Sequence, residues 1–145
     1  MDVGVRISTT NPALAREFVR ALNFWARILD MNWYEDNTSD CSIELVDGPP
    51  DIYVDGTFAQ SQLPEWKNFQ GWIAFDPRVP LTPTEMYYGS VHEIGHLLGL
   101  KHNPSATSVM YGEENDRPEW LDAADIISLA AHHKLRYASV RNSVP

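Results

Sequence analysis

The stretch Val91 to His102 reads VHEIGHLLGLKH and spaces His92, Glu93, His96, Gly99 and His102 in a way that suits one metal ion. Residues four apart on a helix share a face, so the imidazoles of His92 and His96 can grip a single ion side by side. A third ligand from the next helical turn would not complete a tetrahedron. Gly99 answers this, because a glycine accepts positive φ and lets the chain leave the helix and bring His102 back to the metal. Three neutral nitrogens leave a fourth position open for water, the arrangement of a catalytic rather than a structural zinc. Zinc would lower the pKa of that water toward ~7, and Glu93 could take its proton and pass it to a leaving amine. A bare His-Glu-x-x-His also arises on solvated helix faces. The added glycine and third histidine are what make the pattern specific.

Working outward from this stretch, a helix opens at Pro83 or Thr84 and carries through Leu98, with Gly99 ending it. Upstream, Val3, Val5 and Ile7 alternate with smaller or polar residues as in a short strand. Asn11 is a cap and Pro12 a first helical residue. Leu14, Phe18, Leu22, Trp25 and Leu29 then recur at helical spacing over Ala13 to Asp30, an apolar stripe expected to lie on a sheet. Short β-type runs follow at Trp33-Tyr34, Ser42 to Val46, Asp51 to Val54, Thr57 to Ser61 and Trp72 to Phe75, separated by Gly and Pro turns. Beyond Gly99 there is no convincing strand. An irregular stretch from Lys101 to Trp120 leads to a last helix from about Asp122 to Arg136, with Ile126, Leu129 and Ala130 facing inward. His132 and His133, at its end, read as partners of the helix dipole or as solvated groups. The expectation is an α+β chain of one domain, 1–145, with a sheet-bearing part over 1–99 and a small part over 100–145.

With 145 residues and 43% hydrophobic content the chain can bury a real core. Its net charge of −9 argues against nucleic acid or an anionic membrane as partner, since both reward basic residues. Cys41 is the only cysteine, so neither an internal disulfide nor a cysteine metal site is available; it reads as a small buried hydrophobe. The start, MDVGVRIS, lacks the basic stretch and long apolar run of a secretory signal, which leaves a protein that stays inside or a catalytic domain trimmed at Met1.

HEIGHLLGLKH, followed eight positions after His102 by Met110 in SVMYG, resembles the metzincin metallopeptidases and, within them, the matrixins. The resemblance implies a zincin-like fold: a twisted mixed sheet, a long backing helix, an active-site helix and a C-terminal subdomain with one helix. It implies a zinc-dependent endopeptidase with His92, His96 and His102 on the metal and Glu93 acting on a zinc-bound water. Met110 would form the methionine turn under the zinc, with Tyr111 after it. LDAADIISL looks like the start of the matrixin C-terminal helix, where an aspartate, here Asp125, ties the helix to the methionine turn. GTFAQSQLP resembles the edge strand that pairs with an extended peptide, which makes Thr57, Phe58, Ala59 and Gln60 substrate-binding candidates beside Tyr111. GWIAFD resembles the strand after it. A peptide or protein substrate, a monomer and a secreted or extracellular setting follow from the same resemblance.

Departures from the pattern narrow it. No histidine precedes His92, so the loop for a second, structural zinc has no counterpart and one zinc is expected. Calcium stays open, because DNTSD and VDGPPD are acidic but read more simply as turns. Gly112 stands where matrixins carry a proline and where astacins carry a zinc-binding tyrosine, so a fifth protein ligand is not expected. Two other functions compete: a zinc-binding module without turnover, against which the intact Glu93 speaks, and a peptidase or amidase of another metzincin clan with one small substrate. Tyr88 lies one helical turn before His92. By resemblance it lines the floor of the pocket for the side chain just after the scissile bond; as a core aromatic it would pack under the helix instead.

Overall fold

The structure, a computed structural model, describes residues 1–48, 59–61, 71–105, 108–111 and 121–133, with the backbone alone at 59–61 and 132. The described elements are β1 (Asp2–Ile7), α1 (Pro12–Ile28), β2 (Asn32–Glu35), β3 (Ile43–Asp47), β4 (Ala59–Ser61), β5 (Gly71–Phe75), α2 (Pro83–Leu97) and α3 (Ala123–His132). The strands form one mixed sheet in the order β2-β1-β3-β5-β4, with β4 alone antiparallel. Parallel neighbours need a long crossover, and α1 supplies it between β1 and β2. The run expected at Asp51 to Val54 lies outside the described residues.

Asn11 starts α1 by accepting the N–H groups of Ala13 and Leu14 on its side-chain oxygen at 3.0 and 3.3 Å, with Pro12 at the first helical position. The helix stops where Leu29 turns extended. Its stripe of Leu14, Phe18, Leu22, Trp25 and Leu29 is buried in one core with Val3, Val5, Ile43, Leu45, Ile73 and Phe75 from the sheet. A second helix shares that burial: α1 lies against α2, and the Trp25 indole N–H donates to the Val91 carbonyl at 3.1 Å. The amphipathic pattern of α1 encodes an apolar neighbour without saying whether it is a sheet or a helix.

At the end of β5 the buried Asp76 carboxylate takes the Arg78 backbone N–H at 3.0 Å and its guanidinium at 2.9 and 2.7 Å, which turns the chain toward α2. Thr82 then caps α2. Its hydroxyl accepts the Glu85 N–H and the Glu85 carboxylate accepts the Thr82 N–H, a reciprocal box whose loss costs about 0.5–2 kcal/mol.

Three sequence expectations change. Ala130 is exposed rather than inward, because α3 turns Asp125, Ile126 and Leu129 to the interior, and a polar group takes a core-facing position. α3 ends at His132 instead of reaching Arg136, with His133 already extended. Cys41 is only half-buried, and partial burial pushes its thiol pKa up, with the charges of Glu44 and Asp36 adding to the shift.

Ser90 in α2 has a fully buried hydroxyl without a hydrogen-bond partner, the one such side chain among the described residues. An unpaired buried hydroxyl carries its desolvation cost, and alanine is the better helix former. Ser90→Ala should therefore raise stability by about 1–2 kcal/mol in denaturant unfolding. A loss of stability would mean that the hydroxyl is engaged.

Candidate metal centre

Two histidines of the site come from one helix. His92 and His96 lie one turn apart on α2, with ring centroids 4.7 Å apart. The helix then ends in a motif built around Gly99, whose φ of 97° is in the left-handed region that glycine tolerates. The Leu100 N–H returns to the Gly95 carbonyl and the Gly99 N–H to the His96 carbonyl, both at 2.9 Å. This reversal brings His102 to ring-centroid distances of 5.2 and 4.9 Å from His92 and His96. One nitrogen from each of the three rings lies within 4.8 Å of the others.

Hydrogen bonds orient the first two rings. His92 Nδ1 is 2.9 Å from the Val109 carbonyl and His96 Nδ1 is 2.7 Å from the Leu100 carbonyl. A carbonyl oxygen only accepts, so both Nδ1 atoms carry hydrogens and both Nε2 atoms present lone pairs when the rings are neutral. Those Nε2 atoms face each other at 3.1 Å. Two lone pairs that close repel unless they share a cation, and two nitrogens on a tetrahedral zinc stand about 3.3 Å apart. Burial lowers the pKa of His96, against the opposing pull of its bond to Leu100, and so favours the neutral form a metal needs. The donor set fits zinc: three imidazoles, two of them fixed through Nδ1 to main-chain oxygens. Glu93, next to His92, is buried.

The turn 108–111 packs against α2 at His92 and Gly95. Met110 is fully buried, and a Cβ built on Gly95 would come within 2.5 Å of its sulfur and 3.1 Å of the Trp25 ring. Gly95 is thus where α2 lets the methionine approach, a role that the spacing of the metal motif did not single out. The Met110 N–H donates to Ser108 Oγ at 2.9 Å, its carbonyl accepts the Asn103 N–H at 2.8 Å, and Tyr111 bridges back to Asn103 beside His102. Asp125 of α3 organises this turn from within the core, accepting from Ser108 Oγ at 2.5 Å, Asn103 Nδ2 at 3.2 Å and the Asp122 N–H at 3.1 Å. Burial raises its carboxyl pKa, while the bonds from Ser108 and Asn103 pull the other way. Ser108 and Asn103 carried no signal of their own in the sequence, since their value lies in contacts to α3.

Other predicted positions are scattered around this centre. Ala59 and Gln60 sit on the edge strand β4, opposite Phe75 and Ala74 of β5, and β4 runs beside α2. Thr57 and Phe58 fall outside the described residues. Tyr88 is half-buried and packs partly on the core, its ring 5.3 Å from that of the buried Tyr87, which lies under the Arg20 guanidinium. His133 bonds to the end of α2 rather than of its own helix, its Nε2 2.8 Å from the Leu98 carbonyl.

A metalloendoproteinase of Arabidopsis thaliana, 1-MMP, is 30% identical to this chain over 147 residues, an alignment covering 87% of the chain and 40% of that protein. The chain thus spans about 40% of the length of that relative. The sequence profile of the Matrixin family matches residues 5–131, from β1 nearly to the end of α3. With the histidine cluster and the buried Met110 inside that match, the chain belongs to the matrixin family of metalloproteases.

Proposed function

We propose that the chain is a single catalytic domain of a zinc-dependent endopeptidase. The observation that carries this reading is the cluster of ligand atoms of His92, His96 and His102 within 4.8 Å, with the Nε2 lone pairs of the first two converging. Bound there, zinc would polarise the scissile carbonyl and lower the pKa of a water toward ~7. Glu93 accepts the proton of the attacking water and delivers it to the leaving nitrogen. The edge strand β4, antiparallel to β5 and next to α2, aligns an extended peptide through main-chain hydrogen bonds from residues such as Ala59 and Gln60. Tyr111, bridged to Asn103 beside the third histidine, meets the same peptide. A protein or peptide substrate, action as a monomer and an extracellular setting accord with the family; the net charge of −9 speaks against nucleic acid. Among the described residues no helix is long and apolar enough to cross a membrane.

The purified protein is expected to hold one zinc per chain, to digest an unbiased peptide library and to lose that activity on chelation. Two tightly held zinc ions per chain would overturn the single-site reading, and intact zinc without cleavage would favour a binding module.

Tyr88 limits the depth of the pocket that receives the side chain following the scissile bond. It is half-buried, whereas its neighbour Tyr87 is committed to the core, so only Tyr88 has a ring partly available to a ligand. Peptides with Leu at that position should be preferred over ones with a biphenyl-type side chain by a graded ~1–3 kcal/mol. Tyr88→Ala should narrow or reverse the preference; unchanged selectivity would assign Tyr88 to the core.

A further inference from the structure

His133 lies just past α3, yet its ring hydrogen-bonds to a main-chain oxygen 35 residues earlier, the Leu98 carbonyl, at 2.8 Å. That oxygen only accepts, so Nε2 is the donor. Leu98 is the C-terminal cap of α2 and is 1% exposed. The last carbonyls of a helix have no partner within it, and a donor there also meets the negative end of the helix dipole. At the end of α2, the Gly95 and His96 carbonyls are satisfied by the turn's own N–H groups, whereas the Leu98 carbonyl is reached by a side chain from the other part of the chain.

We propose that His133 is a positioning residue for the metal centre, holding the Leu98 carbonyl and thereby the path of the Gly99 turn that delivers His102. This rests on the metal-site reading above. His102 lies past the end of α2, so its place next to His92 and His96 follows the path of the backbone that carries it. That backbone is held at the Leu100 N–H by the Gly95 carbonyl, at the Leu100 carbonyl by His96 Nδ1, and at the Leu98 carbonyl by His133. The first two ties are internal to the motif. The third couples it to α3 upstream of His102, as the Asn103 bond to Asp125 does just past it, so the last helix influences the third ligand without touching metal.

The test is a double-mutant cycle on zinc affinity, read by competition with a chromophoric chelator on the full chain. His133→Phe should weaken zinc on the order of tenfold, the low end of effects seen for groups that orient metal ligands. His133→Gln, which retains an N–H donor, should recover most of the loss. In a His102→Ala background, His133→Phe should cost clearly less than in the wild type, because the route through the third ligand is gone and only that through the Leu100 carbonyl and His96 remains. An equal loss in both backgrounds, or unchanged affinity in folded His133→Phe, overturns the proposal; if the phenylalanine variant does not fold, His133→Ala takes its place in the cycle. Failure of the metal-site reading looks different: His92→Ala and His102→Ala would then leave zinc affinity unchanged.

Discussion

Glu93→Ala is expected to cut peptide turnover by a factor on the order of 10² to 10⁴, the range for removing a general acid–base group, while zinc content stays at the wild-type level. Glu93 adjoins His92 on α2 but is not one of the three residues whose ligand atoms cluster, so its removal leaves the donor set complete. The rings of His92 and His96 are oriented through the Val109 and Leu100 carbonyls. The measurement is kcat on a cleaved library peptide together with metal analysis of the same preparation. Turnover near the wild-type rate would remove Glu93 from the proton transfer; loss of zinc would show that it supports the metal instead. Either result leaves the histidine cluster to be judged by the ligand variants.

The largest stability effect is expected from Asp125→Ala. The carboxylate accepts two buried side-chain donors, Ser108 Oγ and Asn103 Nδ2, as well as the Asp122 N–H. Each donor orphaned in the interior costs about 1–3 kcal/mol, and partial relaxation keeps the total at about 3–5 kcal/mol. For a chain of this size such a loss lowers Tm by roughly 10 °C or more, measured by calorimetry. Because burial raises the Asp125 carboxyl pKa, the folded state favours its protonated form. Its contribution is then fullest below the ordinary carboxylate range and declines as pH rises through the raised value. The gap between wild type and Asp125→Ala should therefore widen as pH falls through the raised value toward the ordinary carboxylate range. A gap that narrows over that interval would contradict the direction of the shift. The same variant should weaken zinc, since Ser108 and Asn103 fix the turn whose Val109 carbonyl orients His92.

Much of this fold was legible in local sequence because its signals are local. Asn11-Pro12 and Thr82-Pro83 with Glu85 mark helix starts through side chains that satisfy nearby N–H groups. Gly99 marks a helix end because its positive φ is costly for other residues. The stripe of α1 announced burial, but a stripe has no address, and contact with α2 emerged only in three dimensions. The inward position given to Ala130 failed for a related reason. Hydrophobicity favoured the alanine, whereas the fold spends an interior position on Asp125, whose partners Ser108 and Asn103 lie 17 and 22 residues away.

By itself, the sequence determined the helix that carries His92 and His96, the turn that releases His102 and the match to the matrixin family, since each rests on fixed offsets along the chain. Tertiary structure decided which groups orient those histidines. The Val109 carbonyl on His92, the Met110 sulfur against Gly95, the Asp125 network and the His133 bond to Leu98 all join segments distant in sequence. Main-chain carbonyls in particular are the same in every residue, so a sequence cannot say which of them a ring will find. Packing selects the pair and fixes its distance.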